Sequence, residues 1–422
     1  MSNRPFLDSL ELIGIKLGLE QIRALCEHLG RPQDRFRSIV VAGTNGKGSV
    51  TAMVERGLRA AGFRTGRYTS PHLVRLEERF AVDGEAVSSS VLDEVLDRVR
   101  NASARLASPP SYFEATTAAA FEIFRDAGVH IAVLEVGLGG RLDATNIVTP
   151  VAVAITSIDF DHQAFLGDTI EAIAREKAGV IKPGGLAVLA ANQGPVREAV
   201  GEACRERGAT LVYAPEGVTV EASLAGGSTR LSLTTPRGSH GPLMLALRGR
   251  HQIDNAVTAV RLLEELAFIG PTSISIDAGA IRTALEDVAW PARLELIRWS
   301  GHDVLIDGAH NPAGAHALAW HIQETYDQRL PMVVGIMRDK KIDEMIQALA
   351  PAASHFVFTA PGTNRAAAPN DLVREAARVA PYVPAIEFAR PSDALRHAVT
   401  LGQPVVVAGS LYLAGEIRAD IS

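Results

Sequence analysis

The sequence contains few cysteines and no long apolar run. Its two cysteines, Cys26 and Cys204, lie far apart in a chain of 422 residues. They provide neither a disulfide framework nor a thiolate metal site, and they suit a reducing compartment. The N-terminal segment lacks the apolar core of a signal peptide, and no apolar stretch is long enough to span a bilayer. We therefore expect a soluble, cytoplasmic protein without a membrane partner.

Long runs of basic residues are also missing. The formal net charge is −6 at pH 7, so we do not expect broad binding of nucleic acids or of anionic membranes. At 422 residues the chain exceeds one typical domain, and its length predicts two domains that each bury a core.

Short apolar runs alternate with helical patterns along the chain. Predicted strands cover 38–42, 130–136, 151–158 and 185–191, and predicted helices between them cover 49–61, 114–127 and 169–180. Continuous Val, Ile and Ala strands separated by helices favour a parallel sheet with helices on both faces. Mixed Gly, Ser and Thr over 217–247 predict a small antiparallel insertion. A proline in "AWPARLELI" marks a linker near 290–297.

A second αβ series follows that linker. Its predicted strands are "DVLID", "PMVVGIM", "HFVFTA" and "PVVVAGS". The sequence therefore predicts two α/β domains joined near 290–297.

The stretch "VVAGTNGKGSVTAMVE", residues 40–55, has the pattern of a phosphate loop. Glycines at 43, 46 and 48 let backbone N–H groups point inward, and Lys47 offers a charge for the β- and γ-phosphates. The alternative is an ordinary glycine-rich turn, but the preceding strand, the following helix and the lysine favour a nucleotide site. Gly48 stands where common loops carry Ser or Thr, and the hydroxyl comes one residue later at Ser49. This difference argues against a standard GTPase or kinase loop.

Polar side chains lie within or just after three further strands. These are Ser70 and His72, then Glu135, Arg141 and Asp143, then Asp159, Asp161 and His162. The carboxyl ends of strands line the ligand crevice of a doubly wound sheet, so these groups are expected near the phosphate loop. A carboxylate and a hydroxyl suit Mg²⁺, although any one of these groups alone would more often be structural.

An ordered series of motifs runs along the chain: "IKLGLEQIRALCEHLGRP", "VAGTNGKGS", "YTSPHLVRLEERF", "LEVGLGGRLDATN", "DHQAFLG", "REKAGVIK", "GRHQIDNA", "WPARLE", "IDGAHNP" and "GSLYLAGE". In these motifs the sequence closely resembles the bifunctional dihydrofolate synthase/folylpolyglutamate synthase family of the Mur ligase superfamily. They span nearly the whole chain, and the late hydroxyl of GTNGKGS is a feature of the family.

This resemblance implies the fold and the reaction. The expected fold is a P-loop ATPase-like domain with a mostly parallel sheet over 1–295 and a smaller Rossmann-like α/β domain over 296–422. The implied activity is an ATP-dependent ligase that joins L-glutamate to dihydropteroate and to folates through an acyl phosphate. ATP is the implied co-substrate, with two Mg²⁺ ions, and a monomer is expected.

The resemblance also implies the ATP and metal ligands. The matching ATP positions are Asn45, Gly46, Lys47, Gly48, Ser49, Asn255, Arg293 and Asp307. The matching Mg²⁺ ligands are Ser70, Glu135 and His162. Lys177 matches a lysine that is often carbamylated and then binds a second metal, whereas its helical pattern alone favours a solvated lysine. Lys47, Lys177 and His310 are implied in catalysis, and Ser410 lies near the active site.

The acceptor site has its own implied residues. Pterin contacts are expected at Lys16, Leu17, Gly18 and Leu19, at Ser111, Tyr112, Phe113 and Glu114, and at Leu142, Asp143 and Ala144. Tyr112 and Phe113 can stack on a flat heterocycle, although without the family a core aromatic pair is the simpler interpretation. The chain carries Lys16 and Ser111 where some bifunctional members carry aspartate and threonine.

Three alternatives stay open at this point. The first is a folylpolyglutamate synthase only. The second is another Mur-type ligase acting on a cell-wall precursor, which predicts a domain ahead of the phosphate loop, whereas 37 residues precede Ser38. A non-enzymatic ATP-binding switch is the third, and it predicts ATP binding without glutamate-dependent phosphate release.

Overall fold

The computed structural model describes residues 4–11, 14, 16–269 and 274–421. Its helices are α1 (Arg4–Glu11), α2 (Glu20–His28), α3 (Lys47–Ala60), α4 (Ser89–Ser103), α5 (Tyr112–Asp126), α6 (Gln163–Leu166), α7 (Ile170–Ala178), α8 (Gly194–Arg207), α9 (His251–Glu265), α10 (Ala278–Glu286), α11 (Pro312–Thr325), α12 (Ile342–Leu349), α13 (Pro369–Val379), α14 (Pro391–Ala398) and α15 (Leu411–Ile421).

The strands form three sheets. They are β1 (Arg37–Ala42), β2 (Thr65–Tyr68), β3 (Phe80–Val82), β4 (Glu85–Ala86), β5 (Ile131–Glu135), β6 (Ala152–Ile155), β7 (Leu186–Leu189), β8 (Thr210–Tyr213), β9 (Thr219–Ala225), β10 (Ser228–Thr235), β11 (Gly238–Leu245), β12 (Glu295–Trp299), β13 (His302–Ile306), β14 (Leu330–Val334), β15 (Ala353–Phe358), β16 (Ala385–Glu387) and β17 (Val405–Ala408).

The first sheet has eight strands in the order β4-β3-β2-β5-β1-β6-β7-β8, parallel from β2 to β8. Side chains of β1 alternate between two cores, with Val40 and Ala42 in one and Ile39 and Val41 in the other. Both faces of this sheet are therefore covered, which explains its continuous apolar strands. The four strands predicted here are confirmed as β1, β5, β6 and β7.

The insertion predicted over 217–247 is confirmed as an antiparallel sheet of three strands, in the order β11-β10-β9. Leu231 and Leu233 of β10 alternate with polar residues, and they pack in the same core as the apolar side chains of α9. The insertion therefore covers one face of the first sheet instead of extending it.

The second large sheet has six strands in the order β12-β13-β17-β14-β15-β16, parallel except for β12. Four of them were predicted from apolar runs. The outermost strands β12 and β16 were not, because their side chains are only partly buried and include Glu295, Arg298 and Glu387. The chain therefore forms two α/β units: the first contains strands β1 to β11, and the second contains strands β12 to β17. This is the mixed α/β architecture that the sequence predicts.

No helix in the described part of the chain is long and apolar enough to cross a membrane.

Two histidines lie where the units meet, His251 at the start of α9 and His321 on α11. Burial lowers the pKa of each from 6.5 to about 4, and the charge of His321 adds to the effect at His251. Since the unfolded chain takes up these protons first, the free energy of unfolding should fall as the pH drops from about 6.5 towards 4.

Replacing His321 with asparagine should flatten this decline in urea unfolding between pH 7 and pH 4.5. The matched control is His316→Asn, because His316 lies exposed on the same helix. An unchanged pH slope in the His321 variant would contradict the assignment.

Candidate active site

The phosphate loop connects β1 to α3 and depends on its glycines. Gly43 and Gly46 have φ angles of +145° and +87°, in the left-handed region that favours glycine. A Cβ atom on Gly43 would overlap Thr156, and one on Gly46 would overlap Asn255. The loop therefore packs too closely for side chains, and it places backbone N–H groups at the positive N-terminus of α3.

Lys47 folds back over this loop. Its Nζ donates to the carbonyl oxygens of Gly43 at 3.2 Å and of Thr44 at 3.0 Å. Burial lowers its pKa, and the carboxylates of Glu135 and Asp161 oppose that shift. A bound anion at the loop would therefore stabilise the charged form of the Lys47 amine, which burial disfavours.

Ser49 and Asn255 are linked through Gln252, a residue that was not predicted. Gln252 Nε2 donates to Ser49 Oγ at 3.2 Å, and Gln252 Oε1 accepts from Asn255 Nδ2 at 2.9 Å. All three side chains are buried. The first turn of α3 is thus tied to the start of α9, which brings two predicted ATP positions together.

Glu135 ends β5 beside the loop, since it pairs with Val41 in the sheet register. It is buried, and burial raises its pKa against the opposing charge of Lys47. Its Oε2 accepts the backbone N–H of Ser70 at 3.2 Å. The structure therefore brings two of the predicted metal ligands into contact.

His162 and Asp161 follow β6, and Asp161 joins the two units. The His162 ring Nε2 lies 3.9 Å from Asp161 Oδ1. Lys340 Nζ, from the second unit, lies 2.7 Å from the same oxygen. Burial raises the pKa of Asp161, but the charges of His162 and Lys340 outweigh it and lower that pKa to about 2. Lys340 had no motif in the sequence analysis to reveal it.

Lys177 is buried, with 5% of its surface exposed, so the solvated alternative is wrong. Its Nζ donates to the Gly43 carbonyl oxygen at 2.7 Å. Burial and the charge of Lys47 lower its pKa to about 7. Gly140 lets the backbone of α7 pack closely against it, because a Cβ atom there would lie 2.7 Å from the Lys177 carbonyl oxygen. Lys177 therefore reaches the phosphate loop with much of its amine neutral at pH 7.

The second unit contacts the phosphate loop through Asn311, another residue that was not predicted. Asn311 caps α11 by accepting the Gly314 N–H at 2.8 Å, and its Nδ2 donates to Asn45 Oδ1 at 2.9 Å. Asn311 is buried. The "GAHNP" turn is therefore fixed directly against the loop.

Asp307 organises the linker that carries Arg293. Its Oδ2 accepts the Leu294 N–H at 2.9 Å, and its Oδ1 accepts the Ala309 N–H at 2.8 Å. Burial raises its pKa, and Arg293 opposes that shift. In the structure Asp307 thus serves as a loop cap that also lies close to Arg293.

His310 is neutral at pH 7, because burial lowers its pKa to about 4. Its Nδ1 lies 2.8 Å from the Gly308 carbonyl oxygen. A carbonyl oxygen only accepts hydrogen bonds, so Nδ1 carries the proton and Nε2 keeps a lone pair. Ser410 is buried, and its Oγ accepts the Leu413 N–H at 3.1 Å at the start of α15.

The predicted acceptor residues surround the N-terminus of α5. Ser111 and Glu114 form a capping box, in which Glu114 Oε2 accepts from Ser111 N at 2.7 Å and from Ser111 Oγ at 2.8 Å. The Arg79 guanidinium lies 5.2 Å from the centre of the Tyr112 ring. The Phe113 ring packs against Gly137, where a Cβ atom would lie 2.6 Å from it. Both rings are half-buried, so each keeps an accessible surface.

The first predicted acceptor segment lies beside this helix. Lys16 and Leu17 are exposed, and Gly18 and Leu19 are half-buried before α2. Lys16 Nζ donates to the Pro109 carbonyl oxygen at 3.2 Å, two residues before Ser111. The structure therefore brings two of the three predicted pterin segments together.

Asp143 holds the third segment, between Leu142 and Ala144. Its Oδ2 accepts the N–H groups of Gly137 at 3.0 Å and Leu138 at 2.9 Å. Its Oδ1 accepts from Thr145 N at 3.0 Å and Thr145 Oγ1 at 2.6 Å. A direct hydrogen bond from Asp143 to a pterin stays a prediction, and it would have to compete with these four donors.

Replacing Asp143 with asparagine should lower the free energy of unfolding by about 2–4 kcal/mol, because the amide loses acceptors for two N–H groups. Urea unfolding measures this change, and both acceptor activities should fall together. Unchanged stability with a selective loss of activity on dihydropteroate would instead indicate a direct pterin contact.

The geometry defines a class of protein. A phosphate-loop α/β unit closed by a second parallel-sheet unit is the arrangement of a Mur ligase. Residues 41–263 match the Mur ligase middle domain, and residues 292–411 match the Mur ligase glutamate ligase domain. Within this class, the chain belongs to the dihydrofolate synthase/folylpolyglutamate synthase family.

One relative and two solved structures illustrate this membership. The dihydrofolate synthase/folylpolyglutamate synthase of Mycobacterium tuberculosis is 39% identical over 82% of this chain and 75% of its own. The structure of M. tuberculosis folylpolyglutamate synthase complexed with ADP has a TM-score of 0.91 at 35% identity, covering 99% of this chain and 96% of that one. Escherichia coli FolC in complex with DHPP and ADP has a TM-score of 0.88 at 28% identity, covering 100% and 97%.

Proposed function

We propose that this protein is an ATP-dependent ligase that joins L-glutamate to dihydropteroate, forming dihydrofolate, and to folates, forming folylpolyglutamates. The observation that carries this proposal is a phosphate loop contacted from the second unit by Asn311, with the Asp161–Lys340 ion pair beside it. Relatives in the same family bear the names of both activities, and the E. coli relative binds DHPP and ADP.

In the proposed reaction the acceptor carboxylate attacks the γ-phosphorus of ATP, and ADP leaves. The product is an acyl phosphate, whose carbonyl carbon is then attacked by the glutamate amine. The tetrahedral intermediate collapses to an amide, phosphate leaves and the amine loses a proton. Proximity within a closed site can contribute roughly 7–11 kcal/mol to such a sequence.

Lys47 and the loop N–H groups would hold the β- and γ-phosphates and stabilise the charge that develops during transfer. Ser49, Asn255, Arg293 and Asp307 complete the proposed ATP site, with Asn45, Gly46 and Gly48. Support comes from the Ser49–Gln252–Asn255 chain of hydrogen bonds and from the position of Arg293 beside Asp307.

The proposed Mg²⁺ ligands are Ser70, Glu135 and His162. Glu135 fits this role because it is a buried carboxylate whose pKa is raised by burial, so a cation beside it would favour its charged form. Within the described ranges, no three His, Cys, Asp or Glu side chains form a metal cluster. When bound, the ion would neutralise charge on the phosphate oxygens.

Carbamylated Lys177 is the proposed ligand for a second ion. Addition to CO₂ requires a neutral amine: the nitrogen lone pair forms the C–N bond, one proton leaves, and the carbamate gains a negative charge. The buried environment that lowers the pKa of Lys177 to about 7 supports this step. The modification would also place a carboxylate-like group near the loop.

His310 is proposed to orient the glutamate amine or to take its proton. Its Nε2 lone pair can accept a proton while Nδ1 stays hydrogen-bonded to the Gly308 carbonyl oxygen.

The pterin is proposed to lie against the half-buried rings of Tyr112 and Phe113, near Lys16–Leu19 and Leu142–Ala144. Ser410 would act beside this site by fixing the start of α15.

We also propose that residues 1–295 and 296–422 form two domains that enclose the substrates between them, and that the protein acts as a monomer. One chain supplies the loop, the proposed metal ligands and the residues of the second unit, so a single copy can complete the site.

Product analysis tests the proposed function. Wild-type protein is incubated with MgATP, labelled glutamate and either dihydropteroate or a reduced folate, and products are separated by mass. Each acceptor should gain at least one glutamyl unit, with one phosphate released per amide. Turnover of the folate alone would leave a folylpolyglutamate synthase, whereas ATP binding without glutamate-dependent phosphate release would indicate a nucleotide-binding switch.

A further inference from the structure

The side chain of Trp290 occupies the space above Gly48 in the phosphate loop. A Cβ atom on Gly48 would lie 2.7 Å from Trp290 Nε1 and 2.9 Å from both Cε2 and Cζ2. Such distances are shorter than real Cβ contacts, so any side chain at position 48 would displace the indole. The place where other phosphate loops carry a hydroxyl is therefore filled from the interdomain linker.

The indole is also held by Arg67 of β2. The Arg67 guanidinium carbon lies 5.0 Å from the centre of the Trp290 ring, within cation–π range. Arg67 is itself placed by Glu55 of α3, whose Oε2 lies 3.7 Å from its Nη1. Glu55 Oε1 also accepts from Thr65 Oγ1 at 2.6 Å. Trp290 is thus fixed against the same helix that begins at the phosphate loop.

The linker that follows Trp290 is held firmly to the second unit. Ala292 and Leu294 have φ angles of +55° and +49°, which side chains rarely adopt. These conformations are maintained by hydrogen bonds, from Leu294 N to Asp307 Oδ2 at 2.9 Å and from Gly308 N to the Ala292 carbonyl oxygen at 2.8 Å. The linker is therefore fixed at both ends, to α3 through Trp290 and to the second unit through these hydrogen bonds.

We propose that Trp290 is a positioning residue, which fixes the first turn of α3 and makes nucleotide affinity depend on the seating of the linker. The proposal rests on the ATP site proposed above. It also gives a physical reason for the late hydroxyl: a side chain at position 48 and an indole at position 290 exclude one another, so the hydroxyl stands at Ser49.

A double-mutant cycle tests this exclusion, with the dissociation constant for MgATP measured by calorimetry on the full chain. Gly48→Ser alone should weaken binding at least tenfold, because its side chain meets the indole. Trp290→Leu alone should also weaken binding, through a loosened first turn. The double variant should bind at least tenfold more tightly than the product of the two single losses predicts.

Steady-state kinetics separate positioning from general damage. Trp290→Leu should raise KM for ATP several-fold and leave KM for glutamate and for the acceptor unchanged. The matched control is Trp299→Leu, because Trp299 is a half-buried tryptophan of β12 outside the loop. A normal KM for ATP in Trp290→Leu, or strictly multiplicative losses in the cycle, would overturn the proposal.

Folding is followed by far-UV circular dichroism. If Gly48→Ser does not fold alone, recovery of a folded, ATP-binding protein in the double variant supports the same exclusion, and the Trp290→Leu kinetics still decide the case. A wild-type chain that does not bind MgATP would contradict the proposed function itself, and with it the role of Trp290.

Discussion

Lys47→Ala is expected to lower glutamate-dependent phosphate release by about 10²–10³-fold, the usual loss when one preorganised electrostatic contact is removed. The physical reason is that Lys47 is the cation within the phosphate loop. Among the residues that the structure describes, its Nζ donates only to the carbonyl oxygens of Gly43 and Thr44, so the fold should persist. Initial rates of phosphate release measure the loss of activity, and circular dichroism measures the retention of the fold.

The matched control for Lys47 is Lys182→Ala. Lys182 also has a lowered pKa, of about 8, because it is half-buried, and its Nζ donates to the Asn146 carbonyl oxygen outside the proposed site. This variant should retain phosphate release when it is folded. Near-normal turnover in Lys47→Ala would contradict the assignment of the nucleotide site to this loop.

Lys177→Ala is expected to lower kcat on the order of 10²-fold and to leave MgATP affinity nearly unchanged. The reason is that the proposed carbamate would act on the transferred phosphoryl group, whereas the loop still supplies the ATP contacts. Adding a small carboxylate such as acetate should restore part of the activity, because it can occupy the vacated space. Added CO₂ should also raise wild-type activity, and the increase should be larger at pH 8 than at pH 6. The pKa of Lys177 is about 7, so its amine is mostly neutral, and able to react with CO₂, above that pH.

Two results would contradict this role of Lys177. Normal turnover in the variant without any additive would make the lysine dispensable. A loss that acetate does not rescue, together with wild-type activity insensitive to CO₂, would assign the lysine to its hydrogen bond with the Gly43 carbonyl oxygen.

The central parts of both large sheets were predictable, because strands buried on both faces are continuously apolar. Residues 131–135 and 405–408 are of this kind, and they are buried throughout. The edge strands β4, β12 and β16 were missed because their partly exposed faces carry charged residues. An edge strand is defined by its neighbour in space, which local sequence does not reveal.

The phosphate loop was predictable from its local pattern, but the burial of Lys177 was not. Lys177 and Gly43 are 134 positions apart, and Asp161 and Lys340 are 179 apart. Helical periodicity places Lys177 on a helix without showing what covers it. Contacts of this length follow from the packing of complete units.

Several predicted ligand positions already have local partners in the structure. The Ser111-x-x-Glu114 spacing is a capping-box signature, and that signal was available in the sequence. Asp143 and Ser410 likewise accept backbone N–H groups from nearby residues. Their contacts with substrate stay predictions, and the variants that test them must be judged against the loss of these local bonds.

Isotope transfer tests the acyl-phosphate ligase most directly. Dihydropteroate labelled with ¹⁸O in its carboxylate is incubated with wild-type protein, MgATP and L-glutamate, and the released phosphate is examined by mass spectrometry. Amine attack on an acyl phosphate expels phosphate that carries one carboxylate oxygen, so one ¹⁸O should appear in each phosphate formed with an amide. Unlabelled phosphate accompanying amide formation, or phosphate release without any amide, would contradict the account.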